Sequence, residues 1–228
     1  MKKVNKIMDK KAIREGYHSI ADKIGMPKKF YKTCLKAVGS IDGYVLDIGC
    51  GQGFLLKEVK ESHAGIKPFA LDHSLELCKR TVENINHASV IQADAAFLPY
   101  RDAVFNLVML TEVIEHLVDD PINVIKEVKR ILVPGGKVLM SVPNRDWFNY
   151  ERYLEKREIF QPVDDKWFRV KEIKELVQKA GFNIKKIRGQ ENLYFGGGAG
   201  HLLEKVGLLC LPKLHERMKR LIILAQKD

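Results

Sequence analysis

Asp47, Asp72 and Asp94 each stand at the end of a short apolar run, where a carboxylate is costly unless it caps a helix or faces a ligand. The first lies in Val45-Leu46-Asp47-Ile48-Gly49-Cys50-Gly51-Gln52-Gly53-Phe54. Glycine at alternate positions lets the backbone curl tightly and lie against a ligand, which makes Gly49, Cys50, Gly51 and Gly53 candidate binding positions. A dinucleotide loop would need glycine where Phe54 stands, and a phosphate loop would need Gly-Lys-Ser or Gly-Lys-Thr, which is missing here. Asp47 would repel a pyrophosphate and welcome an amino group or a sulfonium. Asp72, in Leu71-Asp72-His73, comes nineteen residues after Gly53, the spacing from which a carboxylate accepts hydrogen bonds from ribose hydroxyls. Asp94, in Gln92-Ala93-Asp94-Ala95, is placed to accept from an exocyclic adenine amine. A helix cap or a tight turn explains any one of these residues as well as a ligand does. Three carboxylates at successive segment ends favour an adenosyl compound with a positive charge.

Such a crevice needs a parallel sheet, and the hydrophobic periodicity supplies one. Buried strands are expected at Tyr44–Ile48, Lys67–Leu71, Ser89–Gln92, Val104–Leu110 and Lys137–Val142, the last after a turn at Pro134-Gly135-Gly136. Helices are expected at Phe54–Glu61, Ser74–Asn84, Pro121–Leu132 and Val170–Ala180. Strand-like patterns at Asn183–Ile187 and Leu221–Leu224 bring the expected sheet to seven strands, in an α/β fold. Residues 1–40 read as a basic helical cap interrupted by Gly25 and Pro27, and residues 41–228 as the main domain. A helical insertion is expected at 191–218, between the last two strands.

With 228 residues, 46% of them hydrophobic and 30% charged, the chain suits one sizeable domain with a real core. No run approaches the ~18 apolar residues of a membrane span, and the basic N-terminus lacks an apolar signal core, so a cytoplasmic protein is expected. Cys34, Cys50, Cys78 and Cys210 form no Cys-x-x-Cys pair and read as reduced thiols. The net charge of +10 would suit an anionic partner, but the basic residues are spread over many segments, so nucleic-acid binding is disfavoured without being ruled out.

Five segments in order and register resemble the class I S-adenosylmethionine-dependent methyltransferases. They are the glycine turn from Asp47 to Gly53, Asp72, Asp94, the block Phe105–Leu117 and Leu132-Val133-Pro134-Gly135-Gly136. The resemblance covers about residues 40 to 190 and implies a Rossmann-like, seven-stranded, mostly parallel sheet with helices on both faces. It further implies S-adenosylmethionine as cofactor, with Gly49 and Gly51 against its methionine part, Asp72 and its neighbour His73 at the ribose, Asp94 with Ala95 at adenine, and Thr111 beside the methyl group.

Methyl transfer from a sulfonium depends mainly on alignment, although an oxygen or nitrogen acceptor can need a base. His116 is the nearest candidate, with packing or helix capping as its plainer role. Glu112, Glu115 and His116 stand at i, i+3 and i+4, and on one helix face would offer two carboxylates and an imidazole to a divalent ion. The pattern is similar to one in ubiquinone-biosynthesis O-methyltransferases and small-RNA 2′-O-methyltransferases; the further histidine of the RNA enzymes is missing, and no residue is assigned to a metal. The aromatic loop after Ser141, with Trp147, Phe148, Tyr150, Tyr153, Phe160, Trp167 and Phe168, is expected either to wall a flat organic acceptor or to form a satellite core. Tyr17 and His18 could close over the cofactor, although ordinary helix packing is the commoner role. His201–Arg220 mixes leucines with lysines and arginines and could touch an anionic membrane, although packing on the sheet or on a second subunit is commoner. The favoured function is methylation of a small organic molecule on oxygen. Its rivals are a 2′-O RNA methyltransferase and a non-catalytic binder of S-adenosylmethionine; the oligomeric state is left open.

Overall fold

A computed structural model describes residues 15–16, 25–117, 120–147, 150–151, 166–190 and 216–228. In chain order these form α1 (Lys28–Val38), β1 (Gly43–Ile48), α2 (Phe54–Ser62), β2 (Ile66–Asp72), α3 (Leu75–Asn84), β3 (Ser89–Gln92) and β4 (Phe105–Thr111). A 3₁₀ turn at Ile114–His116 follows, then α4 (Pro121–Ile131), β5 (Leu132–Pro143), α5 (Val170–Lys179), β6 (Phe182–Gln190) and β7 (Arg220–Lys227). Two helix starts are written in the sequence. Ser74 accepts from the Leu77 amide at the head of α3, and Asp120 accepts from Ile122 before Pro121 opens α4.

The seven strands lie in the order β3-β2-β1-β4-β5-β7-β6, parallel through β5, with β7 antiparallel to both of its neighbours. The chain winds outward from β1 through β2 to β3, then returns to lay β4 on the other side of β1. That reversal opens a crevice beyond the carboxyl ends of β1 and β4, where open α/β sheets bind ligands.

Side-chain alternation assigns the two faces. Leu46, Ile48, Val108, Leu110, Val138 and Met140 join Val124, Val128, Ile173 and Val177 of α4 and α5 in one core. Val45, Leu107, Met109 and Leu139 join Phe30, Cys34, Leu56 and Val59 of α1 and α2 in the other. Each fully buried aliphatic side chain contributes about 1.5–3 kcal/mol, so the strand ends are rigidly held. Arg130 of α4 extends that order to the loop between β3 and β4, donating to the carbonyls of Leu98 and Tyr100 and to Asp102.

Three expectations change. The segment Pro134-Gly135-Gly136 is a bulge within β5 and not a turn before it. Pairing passes from Phe105↔Leu132 to Leu107↔Lys137, and Gly135 absorbs the excess with φ +72°. β3 is a half-exposed edge strand instead of a buried one. β6 and β7 run longer than their apolar patterns because their ends carry lysine, arginine and glutamine on the rim of the sheet. Of the expected N-terminal cap, α1 packs on the sheet, while residues 1–14 and 17–24, including Tyr17 and His18, lie outside the described residues. Residues 191–215 of the expected insertion, with His201 and Cys210, also lie outside them. Among the described residues no helix is long and apolar enough to cross a membrane.

Candidate functional site

Asp47 follows Val45 on the α1 side of β1 and is 2% exposed. Burial, and next the negative charge of Asp72, push its carboxyl from 3.8 up to about 8. Asp47 in turn helps to raise the Tyr31 phenol and the Cys34 thiol of α1, burial being the larger cause in both. A cation beside this carboxyl would favour its ionised form and lower its pKa.

The glycine turn is tied down on two sides. The amides of Gly49 and Cys50 donate to the Leu71 carbonyl at 2.8 and 3.1 Å, and the Gly51 amide donates to Asp72 Oδ2 at 3.0 Å. From α3, the Thr81 hydroxyl donates to the Gly51 carbonyl and the Asn84 amide to that of Gln52, at 3.0 and 2.9 Å. Gly49 has φ +67°, and a Cβ there would meet Val113 Cγ2 at 2.5 Å. Gly53 has φ +78° beside Thr81, so the turn needs glycine for conformation and for space. Burial raises the Cys50 thiol well above its ordinary range, with Asp72 and Asp47 adding to the effect. Among the described residues Cys34, Cys50 and Cys78 are free cysteines.

Asp72 is 3% exposed and also accepts from the Ser74 amide, so it braces the turn and the start of α3 together. His73 Nδ1 lies 3.2 Å from Asp72 Oδ1, and the His73 carbonyl accepts from Gln92 Nε2, which joins the loops after β2 and β3. Asp94 accepts from the Ala96 amide at 2.9 Å in a small turn that includes Ala95. Phe97, 75% exposed, follows on the same loop. Thr111, half-buried, closes β4. The expected residues therefore gather along one edge, at the ends of β1, β2, β3 and β4.

The segment after β4 does not form the helix that its spacing suggests. Glu112, Glu115 and His116 do not share a helix face, because Glu112 belongs to the strand end with φ +54° and only Ile114–His116 form a 3₁₀ turn. The Glu112 carboxylate accepts from Ser141 Oγ and Arg220 Nε, each at 2.8 Å, away from the other two. Among the described residues no group of three His, Cys, Asp or Glu side chains is arranged to hold a metal ion. His116 Nε2 stands 3.9 Å from Glu115 Oε1, and its side chain is 14% exposed. Trp147 stacks on Trp167 at 6.4 Å between ring centres, and Tyr150 tilts against Trp167 at 5.1 Å. Trp167 is nearly buried, so the cluster forms a small core. Phe148, Tyr153 and Phe160 lie outside the described residues.

Several contributors escaped the motif reading. Asn144, fully buried, donates to the carbonyls of Glu216 and Met218 and accepts from the Asp146 amide, stapling the end of β5 to the approach to β7. Ser141, Arg220, Thr81 and Asn84 meet the site only through tertiary contacts. Thr81 and Asn84 do leave a signal, a polar pair at i and i+3 on α3.

The family model of the methyltransferase domain matches residues 11–187. An uncharacterised protein of Methanocaldococcus jannaschii is 32% identical over 145 residues, 63% of this chain and 66% of that protein. A probable S-adenosylmethionine-dependent methyltransferase of Mycolicibacterium smegmatis is 29% identical over 161 residues, 69% of this chain and 58% of that protein. The chain thus spans somewhat more than half the length of these curated relatives. Among solved structures, a complex between the Haloferax volcanii Trm112 methyltransferase activator and a methyltransferase aligns with TM-score 0.71 and 19% identity, covering 95% of this chain and 97% of that one. The family model, the relatives and the seven-stranded sheet agree: this chain belongs to the class I S-adenosylmethionine-dependent methyltransferase family.

Proposed function

We propose that the chain transfers a methyl group from S-adenosylmethionine to a small organic acceptor, with oxygen the favoured acceptor atom. The observation that carries this reading is Asp47, a buried carboxyl raised to about 8 beside a glycine turn. A cation in that crevice relieves its burial cost, whereas a dinucleotide pyrophosphate would add to it. The residues fit the donor by type and place: Asp47 and the turn from Gly49 to Gly53 for its cationic amino-acid end, Asp72 and His73 for ribose, Asp94 and Ala95 for adenine. The bound donor supplies an electrophilic methyl carbon on sulfur.

The chain's own residues then have three tasks. The glycine turn, strapped by Thr81 and Asn84, fixes one reactant so that the acceptor meets it in line; such alignment is worth up to ~7–11 kcal/mol in well-oriented reactions. Trp147 and Tyr150, packed on the buried Trp167, offer a flat acceptor a surface. His116 takes the proton that an acceptor hydroxyl loses as its oxygen bonds to carbon. His116→Ala should therefore lower kcat by roughly 10²–10⁴ while leaving S-adenosylhomocysteine binding intact. Steady-state rates beside a binding titration check this, and an unchanged kcat removes His116 from the reaction.

The acceptor class is tested by incubating the protein with methyl-labelled donor and a cell extract. Label in small metabolites is the expected result. Label in RNA, with steep salt dependence, would replace that reading with the RNA-directed one, which the net charge of +10 favours. Saturable donor binding without transfer to any fraction would leave a binding protein.

A further inference from the structure

Glu112 is a non-glycine residue with φ +54°, at the carboxyl end of β4 and beside the crevice. A left-handed backbone is costly for a residue with a side chain, and it persists only where its surroundings over-determine it. Here they do. The Glu112 amide donates to the Ser141 carbonyl and hydroxyl, each at 3.1 Å; Ser141 Oγ donates back to Glu112 Oε1, and Arg220 Nε donates to Oε2. Ser141 is fully buried, while the Arg220 and Glu112 side chains are 18% and 20% exposed. The ends of β4, β5 and β7 thus meet in one charge-assisted cluster.

The residue after Glu112 shows what the cluster controls. Val113 leans on Gly49, so closely that a Cβ on Gly49 would collide with Val113 Cγ2. Gly49 itself comes two residues after Asp47 in the chain. The clamp therefore bears first on Gly49, the start of the turn and the part nearest Asp47 in sequence.

We propose that Glu112, clamped by Ser141 and Arg220, is a positioning residue for the cationic amino-acid end of the donor, acting through Val113 on the turn at Gly49. The inference rests on the donor reading above and adds to it a link between β7 and cofactor affinity.

The full chain and its Glu112→Gly, Arg220→Met and Arg220→Lys variants are titrated calorimetrically with S-adenosylhomocysteine and with 5′-methylthioadenosine, which keeps the adenosine and the thioether but lacks the amino-acid part. Glu112→Gly and Arg220→Met should weaken S-adenosylhomocysteine about tenfold and leave 5′-methylthioadenosine within about twofold. Arg220→Lys, which keeps the charge, should recover part of the loss. Glycine suits the left-handed backbone, so Glu112→Gly separates the carboxylate from the strain: unchanged S-adenosylhomocysteine binding in that variant overturns the proposal. Equal weakening of both ligands also overturns it, because a merely structural role acts on the whole pocket. A wild-type chain that binds neither ligand refutes the donor reading itself; a wild type that binds both, with variants that lose both alike, refutes only the positioning role.

Discussion

Asp47→Asn is expected to weaken S-adenosylmethionine binding by about 100-fold or more, the scale of removing one partner from a buried charge pair. The buried carboxyl is raised from 3.8 to about 8, so in the ligand-free protein it is largely protonated at neutral pH. A cation bound beside it favours the ionised form and pulls its pKa down, so binding releases a proton below pH 8. Donor affinity should therefore climb as the pH approaches about 8 and level off above it. Stability of the ligand-free protein should move the opposite way. Between about 4 and about 8 the native state holds a proton that the unfolded chain has released, so unfolding becomes easier as pH rises through that window. Asparagine carries no such proton. The variant should lose this component of the pH slope and unfold at higher temperature than the wild type above pH 8. Thermal melts across the pH range, with and without donor, check both halves. A wild-type affinity that is flat in pH, or an Asp47→Asn variant that binds like the wild type, would remove Asp47 from the site.

Gly49→Ala should be nearly as damaging, for a steric reason instead of an electrostatic one. Its backbone has φ +67°, which costs an alanine roughly 1–2 kcal/mol, and its Cβ would sit 2.5 Å from Val113 Cγ2. Neither neighbour can yield cheaply: the Gly49 amide is bonded to Leu71, and Val113 follows the clamped Glu112. The turn must shift, and donor affinity should fall at least tenfold with a few degrees lost from Tm. Gly39 provides the comparison. It has φ +69° but open space around its missing Cβ, so Gly39→Ala should lower Tm without changing donor affinity. Similar donor affinities in the two variants would show that the turn at Gly49 does not shape the pocket.

Much of the fold could be read because β1, β2 and β4 are short apolar runs ended by glycine or an acid, and α3 and α4 open on the caps Ser74 and Asp120. The placing of the carboxylates and glycines could be read for the same reason: Asp47 lies at the end of β1, Asp72 closes β2, and the glycine turn and Asp94 lie on the loops that follow β1 and β3. The segment after β4 is different. Glu112 stands where a four-residue spacing suggests a helix, but its carboxylate has partners on β5 and β7, 29 and 108 residues away in sequence, which turn it out of the series. Local periodicity carries no record of Arg220. Asn144 is legible only as a polar residue after a proline, although its side chain decides where β7 begins. The bulge at Gly135 escaped because a Pro-Gly-Gly sequence suits a turn and an interrupted strand equally well.

One titration reaches the central claim, that the carboxylate-lined edge of the sheet is an adenosyl pocket tuned to positive charge. The full chain is titrated with S-adenosylhomocysteine and, in parallel, with NAD⁺ at pH 8.5. Saturable one-to-one binding of S-adenosylhomocysteine, with none of the dinucleotide, is the predicted result. Absence of S-adenosylhomocysteine binding, or tighter binding of NAD⁺, contradicts the account.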